Sequence, residues 1–570
     1  MTLYITRMYQ AVTAYVKPLQ CKIDKICCLV NSLVAKEGCL DKELEYQKCL
    51  IQKLREELYL TMSQVQGYVW YTGYGNNLAH PTWGTVGTQL RRRADNAYGD
   101  GISTLAIRGP KDPSPRVVSN RICSVSESIK NSHQMSDYIW VWGQFLDHEL
   151  DLTEPAGTET VTITTSTSDP YEEYGDPQRT IPFTRSKFIE MSEPREHPNE
   201  ICSFINGGVI YGTDRERVYT LRKMDGTGKM KMYKCDCGEI LLPKNRFGLP
   251  NAQDSPHRPA ESFFVSGDIR ANENVYLTGM HTLFMREHNR LCDEIVKCDP
   301  CLKGHEELIF QKARRLVVAS LQKITYHEFL PILLGKNGIP SYSGYKANVD
   351  SSIHTEFSTV GYRVGHSMLS SLLHADNKGN KIQLREAFFN PGYIDQNGVD
   401  KLIFGASQGL AEKIDSKIVD DVRNFLFGPP TSTQLLDLAT LNITRGRDHG
   451  IPDYNSVREA YGLNKKTTWS EITSDTDIAS GLEDLYETIE AIDPWVGAIC
   501  EDHYNSLPIG ELIYTILRDQ FIRIRDGDRF WYQNQNWEGW EKCYIEKATL
   551  SEVIKNNTRW KKMHADPFHV

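Results

Sequence analysis

The stretch Trp142–Leu152, written WGQFLDHELDL and preceded by SDYIWV, decides the fold of this chain. Its apolar residues recur at mixed three- and four-residue spacing, which predicts a helix that is buried on most sides. Gln144, Asp147 and His148 are polar, and their spacing places them together on one face of that helix. Polar groups on a buried helix cost desolvation free energy unless they share a pocket or partners. This face is therefore a candidate site, and the alternative is a set of hydrogen-bonded core residues.

The composition sets the broad class of the protein. A chain of 570 residues can bury a large core, as one large helical domain or a few smaller ones. Its 65 basic and 74 acidic side chains give a net charge of −9, so it offers no basic field to nucleic acid. No run approaches about 20 apolar residues, so no transmembrane segment is predicted. The N-terminus lacks the apolar run of a secretory signal, so we expect an intracellular protein or export by a non-classical route.

Apolar periodicity predicts two domains. Residues 21–60 carry leucine and isoleucine at roughly 3.5-residue spacing, typical of a coiled coil or helical hairpin. We therefore predict an N-terminal helical extension over residues 1–65, which packs on the main body or self-associates, and a main domain over residues 66–570. The main domain is predicted to be mainly α, with long wrapping segments at 68–125 and an exposed loop with at most a short strand pair at 153–182. Helices are predicted at 273–297, 306–334, 354–373, 415–427, 434–443, 476–491 and 507–523.

Three more stretches place polar side chains among apolar ones. They are FFVSGDIRANENVYLTGMHTLFMREHNRL with Arg270 and Glu273, TVGYRVGHSML with Arg363 and His366, and LATLNITRGRDHGIPDYN with Asn442 and Arg445. Two histidines on apolar helices, with cations and an amide beside them, meet the needs of a haem pocket. One imidazole ligates iron, an acceptor holds the other nitrogen of that imidazole, and the cations face the propionates.

The motifs WGQFLDH, GDIRANE, MHTLFMREHNRL, RVGH and LNITRGRDHGIPDYN occur in this order. Together they resemble the animal-type haem peroxidases, the superfamily that includes myeloperoxidase, thyroid peroxidase, peroxidasin and bacterial-type homologues. The resemblance implies a large single-domain peroxidase fold, mainly α with long wrapping loops. It also implies an enzyme that reduces hydrogen peroxide and oxidises a small electron donor such as iodide, bromide, thiocyanate or a phenol. The alternatives are a fatty-acid dioxygenase of the same superfamily and a catalytically silent haem-binding interaction protein.

The resemblance also assigns expected roles on the two sides of the haem. On the distal side, His148 is the expected acid–base, Arg270 the cation that stabilises the leaving oxygen, and Gln144 the amide that holds water or a small anion. On the proximal side, His366 is the expected iron ligand.

The remaining site residues are expected to hold the proximal ligand or the haem itself. Asn442 is the expected hydrogen-bond partner of His366, and Arg363 and Arg445 are expected to face the propionates. Asp147 and Glu273 match the carboxylates that form ester bonds to haem in vertebrate members, so a covalently held haem b is expected.

Three departures from the family pattern limit what the resemblance implies. Asn274 stands where some members have a Met that forms a sulfonium link to haem, so chloride oxidation is not expected. The cyclooxygenase branch carries its radical Tyr three residues before the proximal His. That position is Arg363 here, with Tyr362 one residue off the required face, which disfavours the dioxygenase alternative.

The third departure concerns the family's calcium site. An Asp is expected directly after the distal histidine, and an acidic, hydroxyl-bearing loop elsewhere. The matching positions here are Glu149 and the stretch CSFINGG, with Cys202, Asn206 and Gly208 where oxygen ligands are expected. Since calcium needs six or more oxygen ligands, we expect weak calcium binding or none, and another anchor for the distal helix.

Overall fold

The structure is a computed structural model that describes residues 68–165, 169, 180–252, 258–426, 436–537 and 539–570. The predicted helical extension, residues 1–65, lies outside these ranges, so its structure and its boundary remain predictions. The chain divides into the compact units Met1–Trp70 and Tyr71–Val570. The second unit contains the elements described below.

Helices dominate the described residues, and they confirm the predicted mainly α architecture. The α-helices are α1 (Pro115–Val118), α2 (Tyr138–Leu150), α3 (Gly208–Tyr211), α4 (Arg215–Leu221), α5 (Val275–Cys298), α6 (Glu306–Ile324), α7 (Leu330–Leu334), α8 (Leu384–Ala387), α9 (Pro391–Asn397), α10 (Asp400–Gly405), α11 (Asp420–Arg423), α12 (Leu438–Asp448), α13 (Tyr454–Ala460), α14 (Trp469–Ile472), α15 (Thr476–Tyr486), α16 (Pro494–Cys500), α17 (Glu511–Asp526), α18 (Trp540–Lys547) and α19 (Leu550–Asn557). Within the described ranges, no helix combines the length and the apolar content needed to cross a membrane.

Three small antiparallel sheets accompany the helices. Their strand pairs are β1 (Pro155–Thr164) with β2 (Thr180–Ser186), β3 (Tyr233–Lys234) with β4 (Ile240–Leu241), and β5 (Leu372–His374) with β6 (Lys381–Gln383). The first pair is longer than the short strand pair predicted there, because Ile163, Ile181 and Phe183 bury one face of the ribbon in a small apolar cluster.

The core is built around α2 and α5. Ten of the 13 residues of α2 are buried, as the wide apolar surface of this helix predicts. Trp142 and Phe145 pack on Phe284 of α5, with ring centroids 5.8 and 5.5 Å apart. The polar face of α2, with Gln144, Asp147 and His148, points away from this contact and into a cavity.

The predicted long helices differ from the structure mainly where packing interrupts them. The helix predicted over 306–334 breaks into α6, a π-helical turn at Thr325–Phe329, and α7. The stretch predicted as a helix over 354–373 is helical over Phe357–Ser367, but as a π-helical turn at Phe357–Gly361 and a 3₁₀-helix at Tyr362–Ser367 instead of an α-helix. It ends early, and β5 follows. Of the helix predicted over 415–427, the described residues contain only α11. The predictions at 434–443, 476–491 and 507–523 correspond to α12, α15 and α17.

Candidate active site

A cavity of about 370 Å³ lies between α2, the segment before α5, the 3₁₀-helix Tyr362–Ser367 and α12. All four polar stretches singled out in the sequence contribute to its wall. The predicted site residues that line it are Gln144, Asp147, His148, Arg270, Glu273, Arg363, His366 and Arg445. The ninth, Asn442, is buried behind His366. Residues as far apart in the sequence as Gln144 and Arg445 therefore meet at one site.

His148 is buried and is held beside two carboxylates. Its Nδ1 lies 3.7 Å from Asp268 Oδ1, and its Nε2 lies 4.0 Å from Glu273 Oε2 on the cavity wall. Among the described residues Nδ1 has no hydrogen-bond partner, so the nearer Asp268 carboxylate acts on it only through its charge. That charge favours a proton on Nδ1 and a free lone pair on Nε2. Burial and the nearby Arg270 hold the pKa of His148 well below its usual range. The imidazole is therefore neutral at neutral pH.

Arg270 is fixed by a carboxylate two residues before it. Its Nε and Nη2 donate to the two oxygens of Asp268, each at 2.9 Å, and Nη2 also donates to the carbonyl oxygen of Asp151 at 3.1 Å. Burial raises the pKa of Asp268, but Arg270 and His148 outweigh it and hold that pKa below its usual range. A charged, two-point ion pair thus fixes the direction of the Arg270 guanidinium.

Gln144 is held by a short chain of hydrogen bonds. Its Nε2 donates to Glu273 Oε1 at 2.7 Å, and its Oε1 accepts from Asn274 Nδ2 at 2.8 Å. Asn274 is itself fixed, since its Oδ1 accepts the Leu277 N–H as the N-cap of α5. The amide of Gln144 therefore has one orientation, and its second N–H is left for the cavity.

Asp147 lies on the same wall, one turn from Gln144. Its Oδ2 is 3.7 Å from Arg270 Nη1, and a third of its side chain is exposed to the cavity. Burial of the carboxyl in this narrow space, with Asp151 nearby, raises the pKa of Asp147 well above its usual range, and Arg270 only partly offsets this.

On the opposite wall, His366 is held by Asn442. The Nδ2 of Asn442 lies 2.7 Å from His366 Nδ1, and the Oδ1 of Asn442 accepts from Arg363 Nη1 at 2.7 Å. Burial lowers the pKa of His366 to about 3, so this imidazole is also neutral. In this arrangement Asn442 donates a hydrogen bond to His366 Nδ1. A partner that holds an iron-ligating imidazole would instead accept a hydrogen bond from Nδ1.

The cations of the cavity fit an anionic group. Within the described ranges, Arg363 has no carboxylate within ion-pair distance, and it donates to Ser358 O and Asn442. Arg445 shares Asp448 with Arg185. Burial lowers the pKa of Arg363, and it lowers that of Arg445 to about 10. Two desolvated cations beside a neutral histidine fit haem b, whose propionates supply negative charge and whose iron takes an imidazole.

Much of the remaining wall is apolar, which suits the flat face of a porphyrin. It includes Phe329, Val364, Phe388 and Leu441. Tyr362 also lines the cavity, although its sequence position was expected to turn it off the required face. The reason is the backbone, because a residue on a π-helical or 3₁₀ segment does not follow the 3.6-residue periodicity of an α-helix.

The sequence analysis missed two residues that organise the site. Asp268 pairs with Arg270, and its only signal was its place in GDIRANE, two residues before the arginine. Asn274 orients Gln144, and it was considered only as a residue that cannot form a sulfonium link. Neither relation follows the three- or four-residue spacing of helical neighbours.

Comparisons with known proteins agree with this geometry. Residues 68–568 match the family model for the animal haem peroxidases. The chain is 35% identical over 523 residues to peroxinectin A of Dictyostelium discoideum, covering 88% of this chain and 95% of that protein.

Two solved structures are similar in fold. Peroxidase A from Dictyostelium discoideum matches with a TM-score of 0.80 and 34% identity, over 88% of this chain and 99% of that one. A fatty acid alpha-dioxygenase from Arabidopsis thaliana matches with a TM-score of 0.72 over 88% of this chain and 83% of that one, but at 19% identity this likeness shows the fold alone. The family match covers most of the chain, and the chain belongs to the animal haem peroxidase family.

Proposed function

We propose that this chain is a haem-dependent peroxidase that reduces hydrogen peroxide and oxidises small donors, namely iodide, bromide, thiocyanate or phenols. One observation carries the proposal. A neutral His148 and an ion-paired Arg270 line one wall of a cavity whose other wall presents His366. This is the set of groups that peroxide cleavage needs: a base that can also act as an acid, a cation, and a ligand for iron.

Haem b would be held by His366 through Nε2 and by Arg363 and Arg445 through the propionates. When bound, haem supplies the redox-active iron that takes up the two oxidising equivalents of the peroxide. Ligation through Nε2 requires the proton of His366 on Nδ1, so Asn442 must then present its oxygen. We expect Arg363 to exchange the Asn442 oxygen for a propionate when haem binds, which frees the amide to turn.

His148 would move the proton between the two peroxide oxygens. Its Nε2 takes the proton from one oxygen and returns it to the other, which leaves as water. This requires an imidazole that is neutral before the reaction, and burial keeps His148 neutral. The Asp268 carboxylate beside Nδ1 stabilises the imidazolium formed between the two transfers.

Arg270 would stabilise the negative charge that develops on the departing oxygen. Its guanidinium is held on Asp268 before the reaction, so little reorganisation is needed when that charge appears. Gln144 would use its remaining N–H to bind water or a small anionic donor. Because Asn274 cannot form a sulfonium link, we expect iodide and bromide, but not chloride, to be oxidised.

Asp147 and Glu273 would hold the haem covalently through ester bonds. Their carboxyl groups lie on the cavity wall with 33% and 26% of their side chains exposed there. Haem that resists acid-acetone extraction after peroxide turnover, and that becomes extractable only when both carboxyls are replaced, in the double variant Asp147→Asn with Glu273→Gln, is the expected result. Haem that is fully extractable from the wild-type protein after turnover would contradict the links.

The proposed function is tested on the purified, haem-supplied protein. We expect a Soret band that shifts on addition of one equivalent of hydrogen peroxide and returns when iodide or a phenol is added. His366→Ala should lose iron ligation and change the Soret spectrum before any peroxide is added. A wild-type protein that binds haem but does not respond to peroxide would support the catalytically silent alternative.

One observation favours the dioxygenase as the second candidate. Tyr362 lines the cavity, and among the described residues its buried hydroxyl has no hydrogen-bond partner. Oxygen uptake with a long-chain fatty acid, lost in Tyr362→Phe, would support this alternative. Peroxide-dependent donor oxidation that is unchanged in Tyr362→Phe, with no oxygen uptake on lipid, would support the peroxidase.

A further inference from the structure

Glu149, the residue after His148, is bound by a loop of backbone amides. Its Oε1 accepts the N–H groups of Asn206 and Gly207 at 2.6 and 2.5 Å, and its Oε2 accepts the N–H of Val209 at 2.7 Å. The side chain is buried. A carboxylate that accepts three backbone N–H groups in a buried place is a strong tether, and it joins the end of α2 to residues 206–209.

The same loop also holds the segment that carries Arg270. The carbonyl oxygen of Val209 accepts the Asp268 N–H at 3.1 Å and the Ser266 hydroxyl at 3.2 Å. Gly267 packs so closely on α3 that a Cβ there would lie 2.2 Å from the carbonyl oxygen of Gly208. The loop thus contacts the residue beside His148 and the residues just before Arg270.

These contacts do not fit a calcium ion at this position. Calcium needs six to eight oxygen ligands, whereas both oxygens of Glu149 already accept backbone N–H groups. The side-chain oxygen of Asn206 accepts the Gly208 N–H at 3.1 Å, and the Asn206 amide nitrogen lies 3.0 Å from Cys202 Sγ.

A buried cation also lies at this loop. Arg314 is buried and donates to the carbonyl oxygen of Asn206 at 3.1 Å. Burial raises the pKa of Glu149 to about 7, and the three backbone N–H groups and the positive charge of Arg314 oppose this rise. Within the described part of the chain, no group of three or more His, Cys, Asp and Glu side chains could hold a metal ion.

We propose that Glu149 is a positioning residue that ties the elements bearing His148 and Arg270 to one loop, in place of a bound calcium ion. The proposal rests on the proposed function for the roles of His148 and Arg270. Glu149 itself does not touch the cavity. It acts by fixing the end of α2 against the loop, and the loop in turn fixes the Asp268–Arg270 turn.

The first test uses the full-length wild-type protein and calcium alone. We expect EDTA to leave the thermal unfolding temperature and the Soret band of the haem-loaded protein unchanged. We also expect calorimetry to detect no calcium binding to chelator-treated protein. An unfolding temperature that falls on chelation and recovers on addition of calcium would overturn the proposal.

The second test compares Glu149→Gln with Glu501→Gln, a matched control. Glu501 is also buried and accepts the Leu512 N–H, the Tyr454 hydroxyl and an N–H of Arg458, but it lies outside the set of cavity-lining residues. Both variants should lower the unfolding temperature. Only Glu149→Gln should slow, by about tenfold or more, the reactions of the haem-loaded protein with peroxide and with cyanide, because small displacements of catalytic groups carry large rate penalties.

Cyanide binding provides a readout that does not need turnover, since hydrogen cyanide gives its proton to the distal base as it binds. A Glu149→Gln protein that loses thermal stability but keeps both rates would overturn the positioning role. A wild-type protein that ignores peroxide would defeat the proposed function, whereas its response to chelator and its cyanide kinetics would still test Glu149.

Discussion

The surroundings of His148 set its protonation state, and they predict how the rate of the reaction with peroxide depends on pH. Burial and the Arg270 charge lower its pKa well below the usual 6.5. The neutral, reactive form therefore persists as the pH falls through 6.5 and is lost only at more acidic pH. We expect the rate constant for the reaction of the haem-loaded protein with peroxide to stay constant between about pH 8 and about pH 6. A rate that halves near pH 6.5 would show an unperturbed histidine instead.

Replacement of His148 tests its proton transfer directly. His148→Ala should still bind haem, because His366, Arg363 and Arg445 remain. Its reaction with peroxide, measured by stopped-flow absorption, should slow by about 10² to 10⁴ in the absence of the acid–base group. Loss of haem in this variant would instead point to a structural role for His148.

Asp268 should be as important as the arginine that it holds. Asp268→Asn removes the charged partner of a buried cation, which costs about 3 kcal/mol of unfolding free energy, and it leaves Arg270 free to turn from the cavity. Asp493→Asn is the matched control, since Asp493 is also buried and pairs with Arg447 and Arg108 away from the cavity. Urea unfolding should show a loss in both variants, but only Asp268→Asn should react more slowly with peroxide. Equal peroxide rates in the two variants would contradict the role of Asp268.

At the scale of elements, the sequence predicts best where burial follows a helical period. The long apolar face of α5 and the wide apolar surface of α2 were both visible in the residue spacing. The stretch around His366 was not, although it is equally apolar. Gly361 lies so close to α17 that a Cβ there would be 2.5 Å from Ile516 Cγ2. The backbone here is therefore packed against a residue 155 positions away in the sequence. The spacing of apolar residues cannot reveal such a contact, nor the π-helical and 3₁₀ geometry that accompanies it.

Asn274, at the N-terminus of α5, has two roles: it caps the helix and it orients Gln144. Two substitutions separate these roles. Asn274→Ala should lose about 1 kcal/mol of unfolding free energy with the cap. Asn274→Ser should keep that stability, because serine is also a good cap, but its side chain is too short to reach Gln144. Both variants should change the affinity of the haem-loaded protein for azide, followed at the Soret band, to the same extent. An azide affinity that changes only in Asn274→Ala would indicate that the cap, and not Gln144, controls the anion.

At the scale of the whole molecule, the site is assembled from stretches that share no local signal. The combined residue types of these stretches suggested a haem pocket, and the resemblance to a family then assigned each residue to one side of the haem. Neither the residue types nor the resemblance to a family predicts the orientation of the Asn442 side chain. Arg363 donates to the side-chain oxygen of Asn442, so the amide nitrogen of Asn442 faces His366. This orientation depends on whether Arg363 and Arg445 have another anion to bind.

The cavity-lining residues all lie between Ile139 and His449, within the compact unit Tyr71–Val570. A chain shortened to residues 66–570 should therefore bind haem and react with peroxide at the rate of the full chain. Residues 21–60 are predicted to form coiled-coil-like helices, and so few imperfect heptads associate only weakly. Light scattering should then show a mass that rises with concentration for the full chain and stays monomeric for the shortened one. A shortened chain that no longer binds haem would mean that the N-terminal extension is part of the catalytic domain, and equal masses at all concentrations would exclude self-association through it.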